Sequence, residues 1–152
     1  MPRKQLKGFV FISLLIAVQL LASCAKETGE EAATKVNWMT SYEDAITAAK
    51  KNKQPIMIDF HADWCSWCKR LDSSTYVDKD VVALAKEFVS LKVDADMERS
   101  ISSEYKVVGL PTILFIDPTG KEIHRVVGYR PPAAFLNEMN VALESFQGKR
   151  GS

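Results

Sequence analysis

The segment PIMIDFHADWCSWCK occupies residues 55–69 and divides at Ala62 into halves of different character. From Pro55 to Phe60 it is apolar at nearly every position apart from Asp59. An apolar run of that length without alternation reads as a strand buried in a sheet covered on both faces. The second half sets Cys65 and Cys68 three apart where the strand should give way to a helix. A thiol at a helix start meets unpaired N–H groups and the positive end of the macrodipole, and both favour thiolate. Thiolate is the nucleophile of disulfide exchange, and the second cysteine lies one turn on, near enough to close a disulfide. A Cys-x-x-Cys at such a junction signals redox chemistry.

Outward from this junction, strands and helices alternate. Ser41 is placed to cap a helix reaching about Lys51, with Asp44 as a weak capping-box partner and Ala45, Ile46, Ala48 and Ala49 as its small-residue face. The helix opened at about Cys65 should continue past Leu71. Asp78 could cap a further helical run over Val81–Phe88, and Val89–Val93 alternates as a strand. A polar helical stretch, Glu98–Tyr105, precedes a strand at Thr112–Ile116. Asp117-Pro118-Thr119-Gly120 is a strong turn signal, so Ile123–Val127 should return as the second arm of a hairpin with a four-residue loop. A last helix follows Pro131-Pro132, with Phe135, Met139, Leu143 and Phe146 as its inward stripe. Such an order indicates a small α/β sandwich.

The cysteine segment resembles the active site of the thioredoxin superfamily, and residues 36–147 follow that pattern throughout. The Ala62-Asp63-Trp64-Cys65 lead-in, Lys69 and the Val-Gly-Leu-Pro-Thr-Ile-Leu-Phe run at 108–115 resemble the C-terminal thioredoxin-like domain of the disulfide interchange reductase DsbD. The resemblance implies a three-layer fold, a central mixed sheet flanked by helices. It also implies thiol–disulfide oxidoreductase activity with no cofactor beyond the cysteines. By position, Cys65 would be the attacking thiol and Cys68 the resolving one, with Asp59 as the buried acid that moves protons at Cys68. Pro111 would be the cis-proline whose loop, with Leu110, docks an extended substrate, and Trp64, Ser66 and Trp67 would complete the substrate-binding surface. Asp72 would raise the pKa of Cys68 through like charge, with Lys69 a second modulator.

Two departures qualify the resemblance. Ser66-Trp67 is neither the Gly-Pro of thioredoxin nor the Pro-His of the strong oxidant DsbA; without that histidine one source of thiolate stabilisation is missing, which favours a reductant. A membrane electron-transfer domain like that of DsbD is not read here, so reducing power is expected from a separate membrane electron donor of DsbD type.

Other readings attach to the same residues. Trp67 could serve helix-start packing as well as the site, and Asp63 reads as a solvated loop acid. His61, four residues before Cys65, could join both thiolates as soft ligands in a copper- or zinc-binding chaperone. Zinc usually takes four ligands, or three and a water. The remaining histidine, His124, falls on an exposed strand face, so no metal site is expected. A structural role for a Cys65–Cys68 bridge is disfavoured because so short a loop removes little unfolded-state entropy. Net thiol oxidation remains the other direction the same chemistry could run.

The amino end carries a different signal. Arg3, Lys4 and Lys7 precede a mostly apolar run, Gly8–Ala22, which is short for a membrane span and suits a secretory signal. The run ends Leu21-Ala22-Ser23-Cys24, which resembles a bacterial lipobox. Residues 1–23 are therefore expected as a lipoprotein signal peptide, with Cys24 as the acylated first residue. The alternative is an ordinary signal peptide with a chance cysteine. Residues 24–35 would be the linker, reaching at most roughly 35–40 Å over its 11 residues after Cys24. Residues 36–148 would be the folded domain and 149–152 a tail. Ala25 after the cysteine favours the outer membrane where a cell has two, facing the periplasm or the outside.

Charge is nearly balanced, 20 Lys+Arg against 19 Asp+Glu. Loss of the three basic leader residues would leave 17 against 19, a net −2. Neither balance suits nucleic acid or general attraction to anionic lipid. Attachment to a bilayer would rest on acyl chains, and stable anchoring takes more than one. The expected partners are disulfide-containing exported proteins, the electron donor and the lipid bilayer.

Overall fold

The computed structural model describes residues 33–150, so the expected leader, Cys24 and most of the linker lie outside the described residues. In chain order the elements are α1 (Tyr42–Asn52), β1 (Ile56–His61), α2 (Ser66–Arg70), α3 (Lys79–Ala85), β2 (Val89–Asp94), α4 (Arg99–Glu104), β3 (Thr112–Ile116), β4 (Glu122–Val127) and α5 (Pro132–Arg150). The four strands form one sheet in the order β2-β1-β3-β4. β1 runs parallel to β2 and antiparallel to β3, and β3–β4 is the expected antiparallel hairpin. The sheet is mixed and helices cover both faces.

Two apolar clusters divide at the sheet. Ile56, Ile58 and Phe60 face Ala45 and Ala49 of α1, together with Leu91, Leu114 and Ile116. Met57 faces the other way, towards Leu71, Val81, Phe115, Phe135 and Met139. Period-two alternation along a central strand assigns these sides, and β1, with a neighbour on each side, is buried along both. Among the described residues no helix is long and apolar enough to cross a membrane.

Local chemistry sets most boundaries. Ser41 accepts from the Asp44 N–H at 3.2 Å, and α1 ends where Lys53 turns left-handed, φ 58°. Asp78 accepts from the N–H groups of Asp80 and Val81, so α3 starts earlier than the hydrophobic pattern suggests and ends at Ala85. The helix begun at Ser66 changes at Leu71 to one wider, five-residue π turn, Leu71–Thr75, so the continuation past Leu71 holds but its winding does not. β4 starts at Glu122, one residue early, because a bulge between Phe115 and Ile116 shifts the hairpin register. Gly120, with φ 89°, supplies the left-handed turn residue. In α5 the buried stripe is Phe135, Met139, Ala142 and Phe146; Leu143 is only partly buried, because the helical row turns past the sheet at that point.

Candidate active site

Cys65 and Cys68 form a disulfide, Cα atoms 5.3 Å apart, and both residues are buried. β1 and the short turn after it deliver Cys65 to the N-cap of α2, where its Sγ accepts from the Cys68 N–H at 3.1 Å. That donor is one of the orphan N–H groups at a helix start, and it would equally stabilise a Cys65 thiolate. The flanking tryptophans reach solvent, Trp64 at 70% and Trp67 at 59% exposure. Trp64 is pinned by its indole N–H, which donates to Asp96 at 2.8 Å. Trp67 stacks on Tyr129, ring centroids 5.6 Å apart, so its ring packs against the protein while keeping an exposed face. Ser66, Lys69 and Asp63 are exposed.

Tyr129 was not legible as a site residue, since it lies 62 positions from Trp67 and only tertiary packing joins them. The π turn fixes it: the Ser74 hydroxyl is 3.2 Å from the Tyr129 hydroxyl, and the Thr75 hydroxyl donates to the Arg130 carbonyl at 2.8 Å. The Ser74 contact, with the Arg70 charge, draws the Tyr129 pKa below the usual tyrosine value. The Leu110–Pro111 peptide bond is cis, as the resemblance implied, and Leu110 keeps some exposure while Pro111 is buried.

The strand that leads to Cys65 also carries a member of a polar cluster. Asp59 is fully buried on β1, and burial pushes its pKa up to about 7 against a counter-pull from Lys92. The Lys92 ammonium stands 3.7 Å from Asp59, close enough for charge attraction and beyond hydrogen-bond length, and it contacts Asp72 directly. Asp72 is thus placed with Lys92, an ion pair that offsets its effect as a bare negative charge on the cysteines. Asp72 in turn adds to the upward push on Asp59. Among the described residues neither Asp59 oxygen nor the Tyr76 hydroxyl has a hydrogen-bond partner within normal length, although Tyr76 faces Asp59 closely enough to draw its pKa down. The Tyr76 pKa lies well above normal, first through burial and then through the Asp59 charge.

Lys92 and Tyr76 are absent from the sequence reading. In the alternating strand Val89–Val93, Lys92 looks like an ordinary outward charge; only the register, which sets it opposite Asp59, makes it part of the site. His61, at the end of β1, has its pKa lowered, chiefly by partial burial and then by Lys92. Among the described residues no group of three or more His, Cys, Asp or Glu side chains is gathered as a metal site.

His124 corrects an expectation. It is half-buried, not exposed: its Nε2 is 2.6 Å from Glu138 of α5, and its ring stacks on Phe115. The strand pattern could not register that α5 lies across β4.

Comparison with known proteins agrees with this geometry. The family described as the thioredoxin-like domain matches residues 42–142. The thiol:disulfide interchange protein DsbD of Vibrio vulnificus is 34% identical over 119 residues, which are 74% of this chain and 20% of that protein. The chain thus spans about a fifth of the length of the curated relatives it matches. Among solved structures, the DsbH oxidoreductase superposes with a TM-score of 0.65 at 23% identity, covering 84% of this chain and 98% of that one. The oxidised C-terminal domain of Neisseria meningitidis DsbD gives 0.59 at 20% identity, covering 66% and 95%. At those identities the two structures speak for the fold alone.

Proposed function

The chain belongs to the thioredoxin-like domain family, and from that premise we propose that it is a membrane-tethered, extracytoplasmic thiol–disulfide oxidoreductase that reduces client disulfides. The observation that carries the reading is the Cys65–Cys68 disulfide at a helix N-cap, flanked by exposed tryptophans and preceded by buried Asp59 on β1.

In the reduced protein, Cys65 thiolate attacks one sulfur of a client disulfide. The client S–S bond breaks, a mixed disulfide forms, and the first client sulfur leaves as thiolate and takes a proton. Cys68 then gives its proton to the Asp59 carboxylate and attacks the Cys65 sulfur. The Cys65–Cys68 bond forms and the second client thiol departs. Two electrons pass to the client, and the pair must be reduced again by a dithiol donor, for which a separate membrane protein of DsbD type is the proposed source. An acid whose pKa lies near neutrality can both accept and return that proton at working pH. Trp64, Ser66, Trp67, Leu110 and Pro111 form the proposed docking surface for an extended client segment. Asp72 and Lys69 act as modulators of the cysteine pair.

Residues 1–23 are proposed as the cleaved leader, residues 24–35 as acylated Cys24 and linker, and residues 36–148 as the working domain. Export and acylation predict that Cys24→Ser releases the protein from membranes; a Cys24→Ser protein that stays membrane-bound overturns the tether.

The reaction itself is tested by Cys65→Ser in the full chain. Turnover of a small disulfide substrate should fall by roughly a thousandfold or more, because the attacking thiolate is gone. Retained turnover excludes the mechanism. Direction is read from the reduction potential of the pair. A value near about −270 mV marks a reductant, and one near about −120 mV marks an oxidant and reverses the proposed direction.

A further inference from the structure

The wall behind the buried acid is made by the chain as it enters the domain. Residues 36–40 run beside the edge strand β2. Met39 donates to the Ser90 carbonyl and accepts from the Lys92 N–H, both at 2.9 Å, while the Val36 N–H donates to the Tyr76 carbonyl at 3.0 Å. These bonds bracket Trp38. Its ring meets Tyr76 edge-on with centroids 4.8 Å apart, and the Lys92 ammonium lies 5.7 Å from its centroid. That ammonium is also 5.9 Å from the Tyr76 ring, 3.7 Å from Asp59 and in contact with Asp72.

The cluster is not sealed. A groove of about 800 Å³, lined by Trp38, Tyr76, Asp72, Lys92 and residues 33–37, leads to it from solvent. Asp72 is 45% exposed on its side of the groove. A lysine has a flexible four-carbon stem and a strongly hydrated head, so with Asp72 alone as partner it would swing outward into water. Two aromatic faces within cation–π range oppose that movement, and they do so most where the charge is partly desolvated. Charged and titratable groups around the Asp59 carboxyl come from three elements: Lys92 from β2, Asp72 from the π turn, and Tyr76 just after that turn. His61, further along β1, shares the fields of Lys92 and Asp72.

We propose that Trp38 is a positioning residue for Asp59: with Tyr76 it holds the Lys92 ammonium between the buried carboxyl and Asp72. The consequence for rate rests on the exchange mechanism above, whereas the positioning is read from Asp59 itself. The stretch by which the chain enters the domain thereby shapes the buried acid of β1.

The test follows the Asp59 carboxyl titration in the oxidised full chain by carbon NMR. Trp38→Leu keeps apolar bulk and removes the ring face; Trp38→Phe keeps a ring face. Losing a cation held near a carboxylate raises its pKa, so Trp38→Leu should move the midpoint up by about half a pH unit or more. Trp38→Phe should move it clearly less. In a Lys92→Met background Trp38→Leu should add little. An unmoved midpoint in Trp38→Leu, equal shifts in the leucine and phenylalanine variants, or an undiminished shift without Lys92 each overturn the inference. In the reduced protein, the pH dependence of mixed-disulfide resolution should move with the midpoint. If the carboxyl moves and that rate profile does not, the positioning of Asp59 by Trp38 is upheld, and the assignment of Asp59 to the proton path falls instead.

Discussion

The two faces of the sheet use the same strands differently. On the α1–α4 side, β1 and its neighbours present the buried apolar Ile56, Ile58, Phe60, Leu91, Val93, Leu114 and Ile116, with Thr112 beside Phe60 as an uncharged polar member whose hydroxyl donates to the Gly109 carbonyl. On the α2–α3–α5 side the corresponding rows read Met57 beside Ser90 and Phe115, then Asp59 beside Lys92 and Ile113, then His61 beside Asp94. One face is a plain core. The other is a core interrupted at the row of Asp59 and Lys92. Sequences that specify a fold agree with it at every level except where function requires otherwise, and here the buried carboxyl lies on one face. An isolated ionised carboxylate is among the most expensive groups to bury. Asp59 is tolerated because it can hold its proton, and because Lys92 and Tyr76 surround it.

The sharpest way to break this contrast is to put the same acid on the plain face. Ile58→Asp would set a carboxyl between Leu91 and Leu114 with no cation in register. The cost should be about 4 kcal/mol or more at pH 8, measured by urea denaturation, because a buried acid without partners is added to a lost apolar side chain. A cost below about 2 kcal/mol would mean that the partners around Asp59 are not what makes it tolerable.

The converse change makes the interrupted face plainer. The folded-state pKa of Asp59 is raised from 3.8 to about 7, so between those values the native state binds more protons than the unfolded one. By linkage, stability from this group is intact below about pH 4 and is lost as pH rises through about 7. Asp59→Asn removes that loss. It should stabilise the protein by about 2–4 kcal/mol at pH 8, with the gain fading to nothing below pH 4. The same variant should slow resolution of a mixed disulfide by roughly a hundredfold. A gain independent of pH would show that Asp59 ionisation does not limit stability.

How much of this contrast was open to reading from sequence alone depended on range. β1, the hairpin and the aromatic stripe of α5 are local patterns, and they emerged within a residue or two. Cys65 and Cys68 followed from their spacing at a strand-to-helix junction, whereas the assignment of Asp59 and the cis Leu110–Pro111 bond came from the family resemblance. The partners did not. Lys92 belongs to Asp59 only through strand register, Trp38 to Lys92 only through a bridge of Met39 to β2, and Tyr129 to Trp67 only through the π turn. A single sequence without its pairings carries none of these. His124 was misplaced for the same reason, since alternation along β4 says nothing about which helix crosses it.

Helix caps supply the finest test of whether the difference between faces is one of tertiary setting alone. Ser41 starts α1 on the plain side and accepts one N–H; Asp78 starts α3 on the other side and accepts two, at 3.0 and 3.2 Å. Capping is a bond between a side chain and the backbone of its own first turn, so neither should sense what lies across the sheet. Asp78→Ala should cost about 1–2 kcal/mol and Ser41→Ala about 0.5–1 kcal/mol, by urea midpoint, in proportion to the donors left unpaired. Neither should alter the pH dependence of disulfide exchange. A changed profile in Asp78→Ala alone would mean that α3 and the Asp59 row respond as one unit. The interruption would then be a property of the whole face and not of the side chains around one carboxyl.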